Sequence, residues 1–208
     1  MDGADRQTVT VYSDYVCPFC YLGRRSLDRY RERTETPPVV EWHPFDLRAD
    51  RRGPDGEIDP TADDGKDDAY YEKARENVER LREEYDVDMA QTLVRDVDSR
   101  NAQLVSLHVQ SAHPDAWPAF DSAVFDALWQ AERDVGDPDV LADLAADVDL
   151  DRSVVADALT DDDLEDRLTE MFEAARVRGV RGVPTFTTDG EAVSGAIPPE
   201  HFERLFEG

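Results

Sequence analysis

Cysteine is nearly absent from this 208-residue sequence, which holds only Cys17 and Cys20. One such close pair excludes the disulfide framework of a small secreted domain. Lysine is equally rare, with Lys66 and Lys73 alone among the basic residues and arginine supplying the rest. Histidine stops at His43, His108, His113 and His201. These offer no second tight ligand pair to complete a zinc site begun by a Cys-x-x-Cys, because His108 and His113 are five apart and would not share a helical face. No metal site is expected, and each histidine reads as a hydrogen-bonded structural residue. No run of 18 apolar residues occurs, so no membrane-spanning helix is expected. Met1 to Arg6 lacks the basic and apolar regions of a secretory signal, and the expected compartment is the cytoplasm. Disulfides there are usually catalytic or redox-sensing, which makes Cys17 and Cys20 working thiols.

Acid is what the chain has in excess: 49 Asp and Glu against 23 Lys and Arg, a formal net charge of -26. Self-repulsion of that size calls for concentrated salt, where the Debye length falls to about 3 Å at 1 M. A salt-loving host is expected, with the acidic surface serving solvation. The same charge repels phosphates, so neither nucleic acid nor an anionic membrane is an expected partner.

The chain is organised around Val9 to Gly23, an apolar strand that runs straight into a helix with both cysteines at the junction. Two intervening residues place the thiols one turn apart on one face, close enough to be bridged. Pro18 suits a first helical turn, which puts Cys17 at or just before the helix N-terminus. Unpaired N–H groups and the positive end of the helix dipole favour a thiolate there. Cys17 is thus the candidate nucleophile and Cys20 the resolving thiol that releases a mixed disulfide. Pro18 and Phe19 between them carry no charge. Asp14, three residues before Cys17, has two readings: a carboxylate beside the thiols that relays protons or raises a thiol pKa, or an N-terminal cap.

Taken in order, Gln7 to Tyr12 reads as a strand, Pro18 to about Arg33 as a helix ended by Thr36-Pro37-Pro38, and Val39 to Phe45 as a second strand. Strand, helix, strand is a βαβ unit. Arg48 to Asp68 is a long loop rich in Gly, Pro and Asp, either bordering the site or a surface excursion. Helices follow at Ala69 to Tyr85, Ser99 to Ala112 and from Trp117-Pro118, the last with Phe120, Val124 and Leu128 on one stripe beside Phe125 and Trp129. That stripe reads as core. Further helices are expected at Pro138 to Ala146, Arg152 to Leu159 and Asp161 to Arg178. Val183 to Thr188 and Glu191 to Gly195 flank Asp189-Gly190 as a hairpin, and a helix from about Pro198 to Phe206 closes the chain. The chain divides into residues 1–65, an all-helical block over 66–160, and residues 161–208.

This order, together with Asp14-Tyr15-Val16-Cys17-Pro18-Phe19-Cys20-Tyr21-Leu22-Gly23, the Leu128-Trp129-Gln130-Ala131 and Val140-Leu141-Ala142 segments and Gly179-Val180-Arg181-Gly182-Val183-Pro184-Thr185-Phe186, resembles the DsbA-like thioredoxin-fold family, in its FrnE-like branch. The resemblance implies an α/β thioredoxin fold with a large all-helical insertion and a thiol–disulfide oxidoreductase needing no bound cofactor. It implies that Pro184 is cis and faces the cysteines, and that Val183 offers backbone groups to an extended substrate segment next to Pro18 and Phe19. The implied partner is a protein or small thiol carrying a disulfide or dithiol. The architecture also resembles the 2-hydroxychromene-2-carboxylate isomerases and kappa-type glutathione transferases, which act through a low-molecular-weight thiol. Those usually carry serine where this chain has Cys17.

Overall fold

The computed structural model describes residues 7–207, apart from 54, 55, 60, 63 and 64. The expectation about a secretory signal concerns Met1 to Arg6, which lie outside the described residues. Strand β1 (Thr8–Ser13) leads into α1 (Pro18–Arg33) and β2 (Val39–Pro44). Helices α2 (Asp68–Glu84), α3 (Arg100–Ala112), α4 (Trp117–Trp129), α5 (Pro138–Asp147) and α6 (Ser153–Leu159) follow. The chain returns through α7 (Asp162–Val177), β3 (Thr185–Thr187) and β4 (Ala192–Ser194), and ends in α8 (Pro199–Glu207).

The four strands form one sheet in the order β2-β1-β3-β4. β1 runs parallel to β2, with Val11 opposite Trp42, and antiparallel to β3, with Val11 opposite Phe186. Asp189-Gly190 turns β3 back onto β4, Gly190 taking a positive φ of 117° that glycine adopts without cost. Alternation along β1 sends Val9 and Val11 to one face, where they meet Leu27 and Tyr30 of α1, Phe186, and Phe202 and Phe206 of α8. Tyr12 points the other way, packing with Phe45, Ala175 of α7 and Val180. Helices therefore cover both faces of the sheet, and the βαβ start brings the end of β1 and the start of α1 to one edge of the sandwich.

The remaining helices bury the expected stripe: Phe120, Val124 and Trp129 are fully buried, with Phe125 and Leu128 nearly so. At roughly 1.5–3 kcal/mol for each such side chain, this stripe is a main anchor of the helical block. The block is not isolated from the sheet. Trp42 of β2 packs with its ring tilted against those of Tyr15 and Trp117, so the largest core runs from the helices to the turn that carries the cysteines.

Helix starts obey local capping. Asp67, Asp137 and Asp161 accept backbone N–H groups of α2, α5 and α7, and Pro18, Pro118 and Pro138 occupy first turns. The stretch after β2 is less irregular than its composition suggested. A 3-10 turn at Ala49–Arg51 and an Arg52–Ile58 bridge shape its first half. Arg52 is pinned between Asp46 and Asp98, and Arg48 donates to the carbonyls of Val94 and Arg95.

Two expectations need correction. The second strand is bounded at Pro44, although the Phe45 amide still donates to the Ser13 carbonyl of β1 at 3.0 Å, and the Phe45 side chain packs with Tyr12. His108 and His113 also come near each other, ring centroids 6.4 Å apart, because α3 ends at Ala112 and His113 departs from helical phase. Among the described residues no cluster of three or more metal-ligating side chains forms.

Candidate active site

Cys17 is the N-cap residue of α1 and Pro18 its first helical residue. No side chain caps this end: Cys17 has extended backbone and its carbonyl accepts from the amides of Cys20 and Tyr21. The turn is held from behind, because the Cys17 amide donates to the Asp14 carbonyl at 3.1 Å and the indole N–H of Trp129 donates to the Tyr15 carbonyl at 2.9 Å. Both cysteines are free thiols and both are buried.

Val183–Pro184 is a cis peptide bond, and the thiol of Cys17 donates to the Val183 carbonyl at 3.4 Å. The first cysteine and the residue before the proline, 166 positions apart, are therefore in contact. Their approach depends on Gly23, one and a half turns along α1. A Cβ at that position would lie 3.1 Å from both Pro184 Cγ and Phe186 Cζ, tighter than ordinary packing. Glycine here lets α1 press against the proline loop. Phe19 is partly buried against the helical core, and Pro18 is buried.

Asp14 does not cap α1. Its buried carboxylate accepts from the Val16 amide at 3.2 Å, the Leu47 amide at 2.8 Å and the Ser99 hydroxyl. It thereby ties the cysteine turn, the segment after β2 and the start of α3 together. Burial raises its pKa from 3.8 to about 6, against the lowering effect of the Ser99 and Leu47 hydrogen bonds. Burial likewise pushes the Cys20 thiol well above its ordinary pKa, and the Cys17 sulfur and the Asp14 charge add to the rise. Ser99 and Leu47 carried no sequence signal, being 85 and 33 residues from Asp14.

Behind the pair lies a cavity of about 610 Å³ between α1, β2 and α4, walled by Trp42, Trp117, Phe125, Arg24, Asp121 and Cys20. Cys20 is among its lining residues and Cys17 is not.

A Cys-x-x-Cys pair at a helix N-terminus, facing a cis-proline loop across a four-stranded sheet with helices on both faces, defines a thioredoxin-fold thiol protein. The chain belongs to the DSBA-like thioredoxin domain family, which it matches over residues 8–207. It is 26% identical over 197 residues to the uncharacterized protein YwbO of Bacillus subtilis (strain 168), covering 94% of each chain. Among solved structures it resembles a probable DsbA oxidoreductase from Streptomyces coelicolor, with a TM-score of 0.76 and 24% identity over 96% of this chain and 88% of that one. It also resembles a 2-hydroxychromene-2-carboxylate isomerase, with a TM-score of 0.73 and 18% identity over 96% of this chain and 93% of that one. At these identities the two structures show the fold alone.

Proposed function

We propose that this protein is a thiol–disulfide oxidoreductase in which Cys17 and Cys20 form the redox pair. The contact between the Cys17 thiol and the Val183 carbonyl, with Cys20 buried one turn behind, carries this reading. In the reducing direction the Cys17 thiolate attacks one sulfur of a substrate disulfide. The S–S bond breaks, a Cys17–substrate mixed disulfide forms, and the first departing sulfur takes a proton. Cys20 then gives up its proton as it attacks the Cys17 sulfur, closing the Cys17–Cys20 disulfide and releasing the second substrate thiol. Two electrons pass from the protein to the substrate, and the reverse sequence oxidises a substrate dithiol.

The roles divide by environment. Cys17, at the helix end, meets the substrate. Cys20, kept protonated by burial and by the Cys17 sulfur beside it, waits until a mixed disulfide brings an electrophilic sulfur within reach. Val183 presents its carbonyl on the substrate side, with Pro184, Pro18 and Phe19 shaping the surface around the sulfur. Asp14 acts through Cys20 and through the turn it anchors. No cofactor enters the cycle. The composition argument carries a cytoplasmic, high-salt setting with this reading.

The isomerase-like alternative is less favoured. It needs a small aromatic substrate beside the first residue of the pair, and the cavity is lined by Cys20 and not by Cys17.

Trapping tests the assignment. Cys20→Ser should accumulate a stable mixed disulfide with a peptide disulfide, while Cys17→Ser should form none, as read by non-reducing gel and intact mass. A mixed disulfide formed by Cys17→Ser as readily as by Cys20→Ser would reverse the assignment.

A further inference from the structure

Acid is spread along this chain at 49 residues in 208, yet none falls between Glu173 and Asp189, where Arg176, Arg178 and Arg181 lead into Val183–Pro184. All three arginines are exposed. Among the described residues none of them forms an ion pair, although Arg24, Arg25, Arg52, Arg100, Arg133 and Arg152 are each matched to a carboxylate. Arg178 makes only a 3.3 Å contact to the Tyr12 hydroxyl. A cation in the last turn of α7 suits the helix dipole, which accounts for Arg176. That explanation does not extend to Arg181, which lies beyond the helix, two residues from Val183, with Cα atoms no more than about 7 Å apart. Val177, between the first two arginines, is 88% exposed.

Resting on the oxidoreductase reading, we infer that the Arg176 to Arg181 strip is the substrate-docking surface for an acidic polypeptide segment that carries the reacting disulfide or dithiol. Its charge is opposite to the net charge of the chain, -26. A partner with carboxylates near its cysteines is repelled by the net charge of the chain and meets unmatched cations here, beside the sulfur that must attack it. The choice of arginine fits concentrated salt. Screening removes long-range steering at a Debye length of about 3 Å, but planar guanidinium–carboxylate contacts persist at van der Waals range. The exposed Val177 supplies an apolar contact between two charged ones, which suits an extended segment of mixed acidic and apolar side chains.

The test uses three synthetic peptides that share one disulfide and differ only in flanking Glu, Gln or Lys residues, reduced by the wild-type protein at two salt concentrations. The Glu peptide should exceed the Gln peptide by about tenfold in kcat/KM, the scale of two exposed ion pairs. Arg178→Gln with Arg181→Gln should bring the ratio close to one. Arg178→Glu with Arg181→Glu should turn the preference to the Lys peptide, an outcome that a folding defect does not produce. Arg204→Gln, on α8, should leave the ratio as it is. A wild-type ratio of one, or a ratio unmoved by the paired substitutions, overturns the inference. So does an arginine-dependent preference confined to glutathione disulfide, a small acidic thiol, with none among the peptides. If the wild type reduces no peptide at all, the oxidoreductase reading fails. Binding of the same peptides with Ser in place of Cys, followed by NMR, then decides the surface: arginine-dependent preference for Glu upholds it and equal binding removes it.

Discussion

Asp14→Asn should change the shape of the pH–stability curve, and the structure sets the size of the change. The carboxyl titrates near pH 6 in the folded protein and at 3.8 ordinarily, because it is buried. The folded state therefore holds this proton more tightly than the unfolded state. Stability from Asp14 is fully present below about pH 3.8 and is lost as pH rises through 6. A separation of this size corresponds to about 3 kcal/mol at 1.36 kcal/mol per pH unit. Asparagine keeps the shape and never ionises, so it escapes that loss. It also turns an N–H donor toward the Leu47 or Val16 amide, a mismatch costing about 1–3 kcal/mol at every pH. The informative quantity is therefore the difference between the variant and wild-type unfolding free energies, measured by denaturant titration in concentrated KCl from pH 4 to 7.5. Over that range the difference should move by about 2.5 kcal/mol in favour of the variant as pH rises, the rest of the roughly 3 kcal/mol lying below pH 4. A difference that stays flat across the range would refute a raised Asp14 pKa, whatever the constant offset.

Two further outcomes follow from packing and charge. Gly23→Ala should destabilise the fold by about 1 kcal/mol, although alanine gains roughly that much over glycine in an open helix, because its Cβ presses on Pro184 and Phe186 at 3.1 Å; a stabilised variant in a denaturant titration would contradict the close approach. Dialysis into low salt should cost helical circular dichroism, as a net charge of -26 loses its screening; an unchanged spectrum would remove the salt-loving reading.

The sequence made much of the fold legible because its strongest signals are local. The two cysteines and Pro18 marked the start of α1, the Phe120 to Trp129 stripe marked a core helix, and Asp189-Gly190 marked the hairpin between β3 and β4. Each depends on spacing within a few residues. What spacing does not reveal is which distant atoms meet. That Pro184 faces the cysteines was expected only through family resemblance, and the Cys17 contact to the Val183 carbonyl was not expected at all, since proximity across 166 residues leaves no periodic trace. The Asp14 carboxylate was legible as a nearby charge but not as a knot with Leu47 and Ser99, because its partners are a backbone amide and a common hydroxyl. Gly23 showed only as a small residue in a helix; its reason is a neighbour in β3. His113 misled because the five-residue spacing from His108 assumed a helix that ends one residue earlier.

The central claim is that Cys17 and Cys20 interconvert between dithiol and disulfide as a single two-electron couple. Redox titration in high salt against a defined thiol buffer, with alkylation and mass analysis at each potential, tests it directly. The account predicts that both cysteines become protected together in one transition with the slope of a two-electron process, about 30 mV per tenfold change in the equilibrium constant. Two cysteines that remain alkylatable at every potential, or that titrate separately, would contradict it.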